Sequence, residues 1–137
     1  MPDFTYQTLL GFDYGTHKIG VAVGQALTGT ATPLTTLGRV KSAPDWLSIK
    51  RLIDEWQPDA LVVGVPHAQS PQQQNIAKLT RRFSRELKAR YHLPVVLVDE
   101  TLTSREAWSR IGGIAQRNPT RIDAMAAKLI LETWLNQ

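Results

Sequence analysis

The chain has 137 residues, enough for one domain with a sizeable core and too few for two. Its hydrophobic content of 42% is that of an ordinary globular protein, and 16 Lys and Arg against 12 Asp and Glu leave a net charge of +4, a modest basic bias that fits a polyanionic partner. The absence of cysteine excludes disulfides, thiolate nucleophiles and thiolate-bound zinc; with no apolar run long enough to span a bilayer and no signal-peptide pattern in Met1-Pro2-Asp3-Phe4-Thr5, a soluble cytoplasmic protein without membrane attachment is expected.

Residues 9–13 form a short apolar run, and Tyr14-Gly15-Thr16-His17-Lys18 reads as a turn. Residues 19–24 predict a second strand, with Val21 and Val23 alternating with Gly20, Ala22 and Gly24. Small side chains on one face imply that something packs closely over it. Residues 30–37, rich in Thr and uncharged, predict a third strand, and the short links predict an antiparallel meander. Ser42, Pro44 and Asp45 are helix-start signals; Ile49, Leu52, Ile53 and Trp56 then share a helical face, and Pro58 ends the helix.

Residues 60–65 are continuously apolar, the mark of a strand buried on both faces. A polar loop is expected over 67–74, then a long helix with the stripe Ile76, Leu79, Phe83 and Leu87. Residues 95–98 predict another buried strand. Thr103-Ser104-Arg105-Glu106 resembles a capping box opening a helix that ends at Gly112-Gly113. The last helix is expected from about residue 120 to the C-terminus, with Ile122, Met125, Ala126, Leu129 and Ile130 facing inward. The order β-β-β-α-β-α-β-α-α within one domain, 1–137, predicts an α/β fold. Its sheet is mixed and five-stranded, three antiparallel strands then two parallel, with helices on both faces.

Three carboxylates stand at the ends of these elements. Asp13 closes the first strand beside Gly11 and Gly15, where a phosphate or metal can approach the backbone; the same residue also fits a turn Asp bonded to its own backbone. Glu100 ends a buried strand, where ligands of open α/β sheets gather, and Asp99 competes with it because alternation alone does not choose between neighbours. Asp123 follows Thr120 at a helix start, a position that capping and the helix dipole explain by themselves; only its combination with Asp13 and Glu100 points to a site. If the three ends converge, the pocket requires a cation, and hard oxygen ligands favour Mg²⁺ or Mn²⁺. A divalent metal in a basic protein points to phosphoryl chemistry on nucleic acid.

Basic residues fall in two sets. Arg81, Arg82, Arg85, Lys88 and Arg90 share the long helix, where a solvated face with a Glu86–Arg90 pair competes with a phosphate track. Arg105, Arg110, Arg117 and Arg121 lie close in sequence to Glu100 and Asp123 and are the better candidates for nucleic-acid contact. His17, His67 and His92 form no metal-ligand spacing; His67 sits where it can meet substrate. Trp56 and Trp134 fit core-facing positions; Trp46 and Trp108 are candidates for partial exposure, and for Trp108 stacking on a base competes with core packing, the favoured role.

The blocks Leu10-Gly11-Phe12-Asp13-Tyr14-Gly15-Thr16, Ile19-Gly20-Val21-Ala22, Leu61-Val62-Val63-Gly64-Val65-Pro66, Val98-Asp99-Glu100 with Leu102-Thr103-Ser104, and Ile122-Asp123-Ala124 occur in the order of the YqgF (RuvX) family, which the chain resembles over nearly its whole length. The resemblance implies a ribonuclease H-like fold with Asp13, Glu100 and Asp123 as metal-dependent nuclease residues. It implies 5′-end processing of pre-16S ribosomal RNA in ribosome biogenesis, or resolution of Holliday junctions in branched DNA. The corresponding mechanism places two divalent ions about 3.5–4 Å apart around the scissile phosphate. The chain departs from the family in carrying His67-Ala68-Gln69-Ser70-Pro71 where relatives have an Asp-Gly turn. An actin- or Hsp70-type ATPase or sugar kinase shares the opening D-x-G-T but needs a second similar domain. A non-catalytic nucleic-acid binder would retain three clustered acids at a cost and without use. A monomer or weak homodimer is expected, a dimer being what junction resolution requires.

Overall fold

The computed structural model describes residues 6–100 and 122–137. Strand β1 (Thr8–Tyr14) turns through Gly15, whose N–H donates to the Lys18 carbonyl at 2.9 Å, into β2 (Ile19–Gln25). β3 (Thr30–Leu37) completes an antiparallel meander. After a short hairpin, β4 (Arg39–Val40) and β5 (Ala43–Pro44), helix α1 (Trp46–Trp56) crosses over to β6 (Ala60–Val65), which pairs parallel with β1. Helix α2 (Pro71–Tyr91) returns to β7 (Val95–Asp99), parallel to β6, and α3 (Ile122–Leu135) closes the chain. The sheet order β3-β2-β1-β6-β7 is the expected mixed five-stranded arrangement.

Strand alternation divides the core. Leu10 and Phe12 of β1 point to α1 and α2, where they meet Val21, Leu61, Val63, Phe83 and Leu87. Leu9 points to α3, with Val62, Val98, Ala127, Ile130 and Leu131. Each of the larger buried aliphatic side chains contributes about 1.5–3 kcal/mol. No helix among the described residues is long and apolar enough to cross a membrane.

Four local expectations change. The β4–β5 hairpin replaces part of the expected helix start: Lys41 and Ser42 take φ of 51° and 66°, left-handed values for which a turn usually selects Gly or Asn. The working cap of α1 is Asp45, which accepts from the Ser48 N–H at 3.1 Å, while Pro44 belongs to a strand. Helix α2 begins inside the expected polar loop, because Ser70 and Gln73 form a capping box ahead of Pro71. On α3, Ala126 and Ile130 are buried as expected, but Ile122, Met125 and Leu129 are only half-buried; Ala124, Ala127, Leu131 and Leu135 take their place. The helix seats Leu131, Leu135 and Ile130 in the space that strand glycines 11, 24 and 64 leave open. The helix expected over 103–112, and with it Trp108, lies outside the described residues.

Candidate active site

Asp13 has the same strand parity as Leu9, so it faces α3, at the end of β1 and opposite Gly20 of β2. Because β6 and β7 run parallel to β1, their carboxyl ends reach the same edge of the sheet. Glu100 follows β7 there with the parity of Val98, whose side chain packs in the α3 cluster. Asp99 has the opposite parity, with Leu97, and lines a separate cavity. Alternation measured from Val98 therefore separates two neighbours that strand position alone left equivalent.

The carboxyls of Asp13 and Glu100 are hydrogen-bonded to one another. Asp13 is half-buried: protein surrounds its carboxyl while the strand end stays open to solvent. Burial, then the charges of Glu100 and Asp123, then the hydrogen bond to Glu100 push its pKa from 3.8 up to about 8. Glu100 also lies above the usual carboxylate range, chiefly through burial and further through the charge of Asp99, with the hydrogen bond from Asp13 opposing the rise. Two carboxyls in hydrogen-bond contact hold one proton between them, and the pair rather than either residue titrates. Asp123, in the first turn of α3, acts on Asp13 through its charge.

Two glycines allow this approach. A β-carbon on Gly20 would collide with the backbone carbonyl of Asp123, so only a residue without a side chain lets the start of α3 lie against β2 directly across from Asp13. At Gly64 of β6, a β-carbon would run into Ile130 and stand 3.2 Å from Oε1 of Glu100. The sequence marked Gly20 as a close-packing position; its part in seating an acid was legible only once α3 was known to be the element above it.

Among the described residues, no three His, Cys, Asp or Glu side chains are arranged as a ready metal cage. The chemistry of the donor set nonetheless fits a divalent cation. It consists of carboxylate oxygens, and the charges raising Asp13 are those of other acids, so a shared proton supplies the compensation that a cation would otherwise give.

Beside the acids, at the ends of β6 and β7, His67, Arg81 and Asp99 line a cavity of about 300 Å³ with Pro66 and Leu97. His67 thus stands next to the sheet end, as its position in the chain indicated. On α2, Glu86 pairs back to Arg82 at 3.2 Å rather than forward to Arg90, whose guanidinium lies over the Trp46 ring. Arg105, Arg110, Arg117 and Arg121 lie outside the described residues.

The family described as "RuvX: Holliday junction resolvase" matches residues 7–137. A relative from Methylococcus capsulatus, provisionally named a pre-16S rRNA nuclease, is 48% identical over 133 residues, covering 94% of this chain and 88% of its own. One from Haemophilus ducreyi with the same provisional name is 44% identical, covering 94% and 96%. Among solved structures, Thermus thermophilus RuvC in complex with a Holliday junction substrate is similar with a TM-score of 0.57 at 15% identity, over 95% of each chain. The fowlpox virus Holliday junction resolvase gives 0.57 at 13% identity, covering 95% of this chain and 98% of that one. At such identities the likeness concerns the fold, and the fold is the ribonuclease H-like one that the sequence blocks implied.

Proposed function

The chain belongs to the RuvX family, and on that premise we propose that it is a metal-dependent nuclease that hydrolyses phosphodiester bonds in nucleic acid, its substrate the 5′ end of pre-16S ribosomal RNA. It acts as one ribonuclease H-like domain, in the cytoplasm where the precursor is made, as a monomer or weak homodimer. The observation that supports the reading is the half-buried, hydrogen-bonded pair of Asp13 and Glu100 with the charge of Asp123 acting on it. Acids so placed are costly in a protein that has no cation to bind.

Asp13, Glu100 and Asp123 would hold Mg²⁺ or Mn²⁺, which when bound supplies a Lewis acid for the phosphoryl oxygen and acidifies water. Asp13 must first lose the proton it shares with Glu100, so occupancy of the site and proton release are linked. Gly20 lets the backbone at Asp123 lie against β2, and Gly64 leaves room beside Oε1 of Glu100. Hydrolysis adds the oxygen of water to phosphorus and expels the 3′ oxygen, which takes up a proton. Arg105, Arg110, Arg117 and Arg121, next to two of the acids in sequence, hold the flanking phosphates.

A second reading has support from the family description and from the two fold relatives, all of which carry the words Holliday junction. The curated relatives at 44–48% identity carry the ribosomal RNA description instead, and identity of that size weighs more than fold. The test is a cleavage assay with Mg²⁺ or Mn²⁺ on a pre-16S RNA fragment and a four-way DNA junction side by side. Cutting of the RNA is expected. Cutting of the junction alone would transfer the chain to the second reading, and cutting of neither would remove the nuclease.

A further inference from the structure

On the face of the sheet opposite the acids lies a larger recess, of about 450 Å³, beneath the β4–β5 hairpin and along α2. Phe83 forms its floor and backs two other rings, Tyr14 with centroids 5.0 Å away and Trp46 at 5.7 Å. Each of those rings carries a guanidinium. Arg39 stands 4.8 Å from the centre of Tyr14, and Arg90 stands 4.1 Å from the centre of Trp46. Arg39 is held further by donating from Nη2 to the Gly15 carbonyl at 2.6 Å and from Nε to the Thr16 carbonyl at 3.1 Å. Arg82 also lines the recess, its side chain 71% exposed and paired with Glu86, the one carboxylate in the lining. The lining therefore holds an excess of two positive charges around open space.

A guanidinium stacked on a ring is already oriented, and its N–H edge stays available to an anion. Its outer plane can in turn take a nucleobase. The recess is also tied to the acids by covalent geometry. Tyr14 follows Asp13 directly, so the two side chains leave opposite faces of one strand end from α-carbons about 3.8 Å apart. A strand whose phosphate lies at Asp13 meets this recess on passing round the end of β1.

We propose that the recess binds the unpaired strand of a ribonucleic acid next to the bond that is cut. Its phosphodiester lies on the edges of Arg82 and Arg90, with Arg39 behind them, and a base lies against the stacked guanidinium planes. The proposal rests on the nuclease reading for what lies at Asp13, but binding at the recess requires no cleavage.

The test measures binding without a divalent cation, by fluorescence anisotropy of a short labelled single-stranded RNA across a salt series. The full chain is compared with Arg82→Gln/Arg90→Gln and with Arg51→Gln/Lys78→Gln, which removes the same charge from exposed positions outside the recess. The first pair is expected to weaken binding about tenfold and to reduce the salt slope by about 1.4, two phosphate contacts at about 0.7 each on a single strand. The second pair is expected to change affinity less than about twofold. Equal losses in both pairs would reduce the recess to general charge and overturn the proposal, as would a wild-type chain that binds no RNA. A chain that binds with the expected difference but cuts neither RNA nor junction when Mn²⁺ is added supports the recess while removing the nuclease reading.

Discussion

Phe12 and Asp13 are neighbours on β1 and meet opposite fates. Phe12 is fully buried, edge-on to Phe83 at 5.8 Å, in a cluster whose rings and aliphatic side chains gain from every contact. Asp13 points the other way, toward α3, and meets two further acids. The α2 face is built for stability, and at its rim arginines lie over aromatic rings. The α3 face, at the same end of the sheet, gathers like charges and removes the side chains that would keep them apart. Packing on the first face offsets the electrostatic cost on the second, which is why a strand can end in a carboxyl with a pKa near 8 and still fold.

The largest effect that would sharpen this contrast is on rate. Asp13→Asn keeps the shape of the side chain and removes a charge from the acid cluster, so cleavage is expected to fall by about 100-fold or more. Its melting temperature without metal is expected to be unchanged near neutral pH, where Asp13 holds the shared proton, and higher above about pH 8, where an ionised Asp13 would face two other acids. Phe12→Ala should do the reverse, costing about 3–5 kcal/mol in denaturant unfolding. If the two substitutions had similar effects on stability, the division of labour between the faces would not hold.

Gly20→Ala tests the contact between them. The added methyl meets the backbone of Asp123, which cannot rotate away, so a loss of about 1–3 kcal/mol is expected. A variant that melts like wild type would mean that α3 does not lie where it seats Asp123.

How far the contrast could be read in the sequence depends on the element. An apolar run marked β1 and alternation marked β2, and the Gly20-x-Ala22-x-Gly24 face announced a close neighbour without saying which. The capping box Ser70-x-x-Gln73 was there to be read, but the polar run 72–74 has no apolar period and looks like loop. The β4–β5 hairpin carries no signal, since Lys41 and Ser42 occupy left-handed positions that sequence rules reserve for Gly and Asn. On α3 the apolar residues are too many to define a stripe, and the buried face follows from the glycines beneath. The meeting of Asp13 with Glu100 depends on the order β3-β2-β1-β6-β7, a tertiary fact that local pattern does not contain.

A further effect is on the pH dependence of stability. Asp13 has a folded pKa of about 8 against an ordinary value of 3.8, so between these limits the folded chain holds more protons than the unfolded one. Its contribution to the stability of the metal-free protein is complete below about pH 4 and is lost as pH rises through about 8. Thermal unfolding without metal should therefore show a melting temperature that declines over this window, and Asp13→Asn should flatten the decline. A wild-type slope kept intact in the variant would assign the effect to other groups.

A divalent cation that takes the place of the proton shared by Asp13 and Glu100 must displace that proton as it binds. Calorimetric titration of Mn²⁺ into the full chain near neutral pH, repeated in buffers of different ionisation enthalpy, counts the protons released. Release of about one proton is expected on binding to wild type, with weak or absent binding and no such release in Asp13→Asn. Binding to wild type with no proton released, or equal binding to Asp13→Asn, would contradict it.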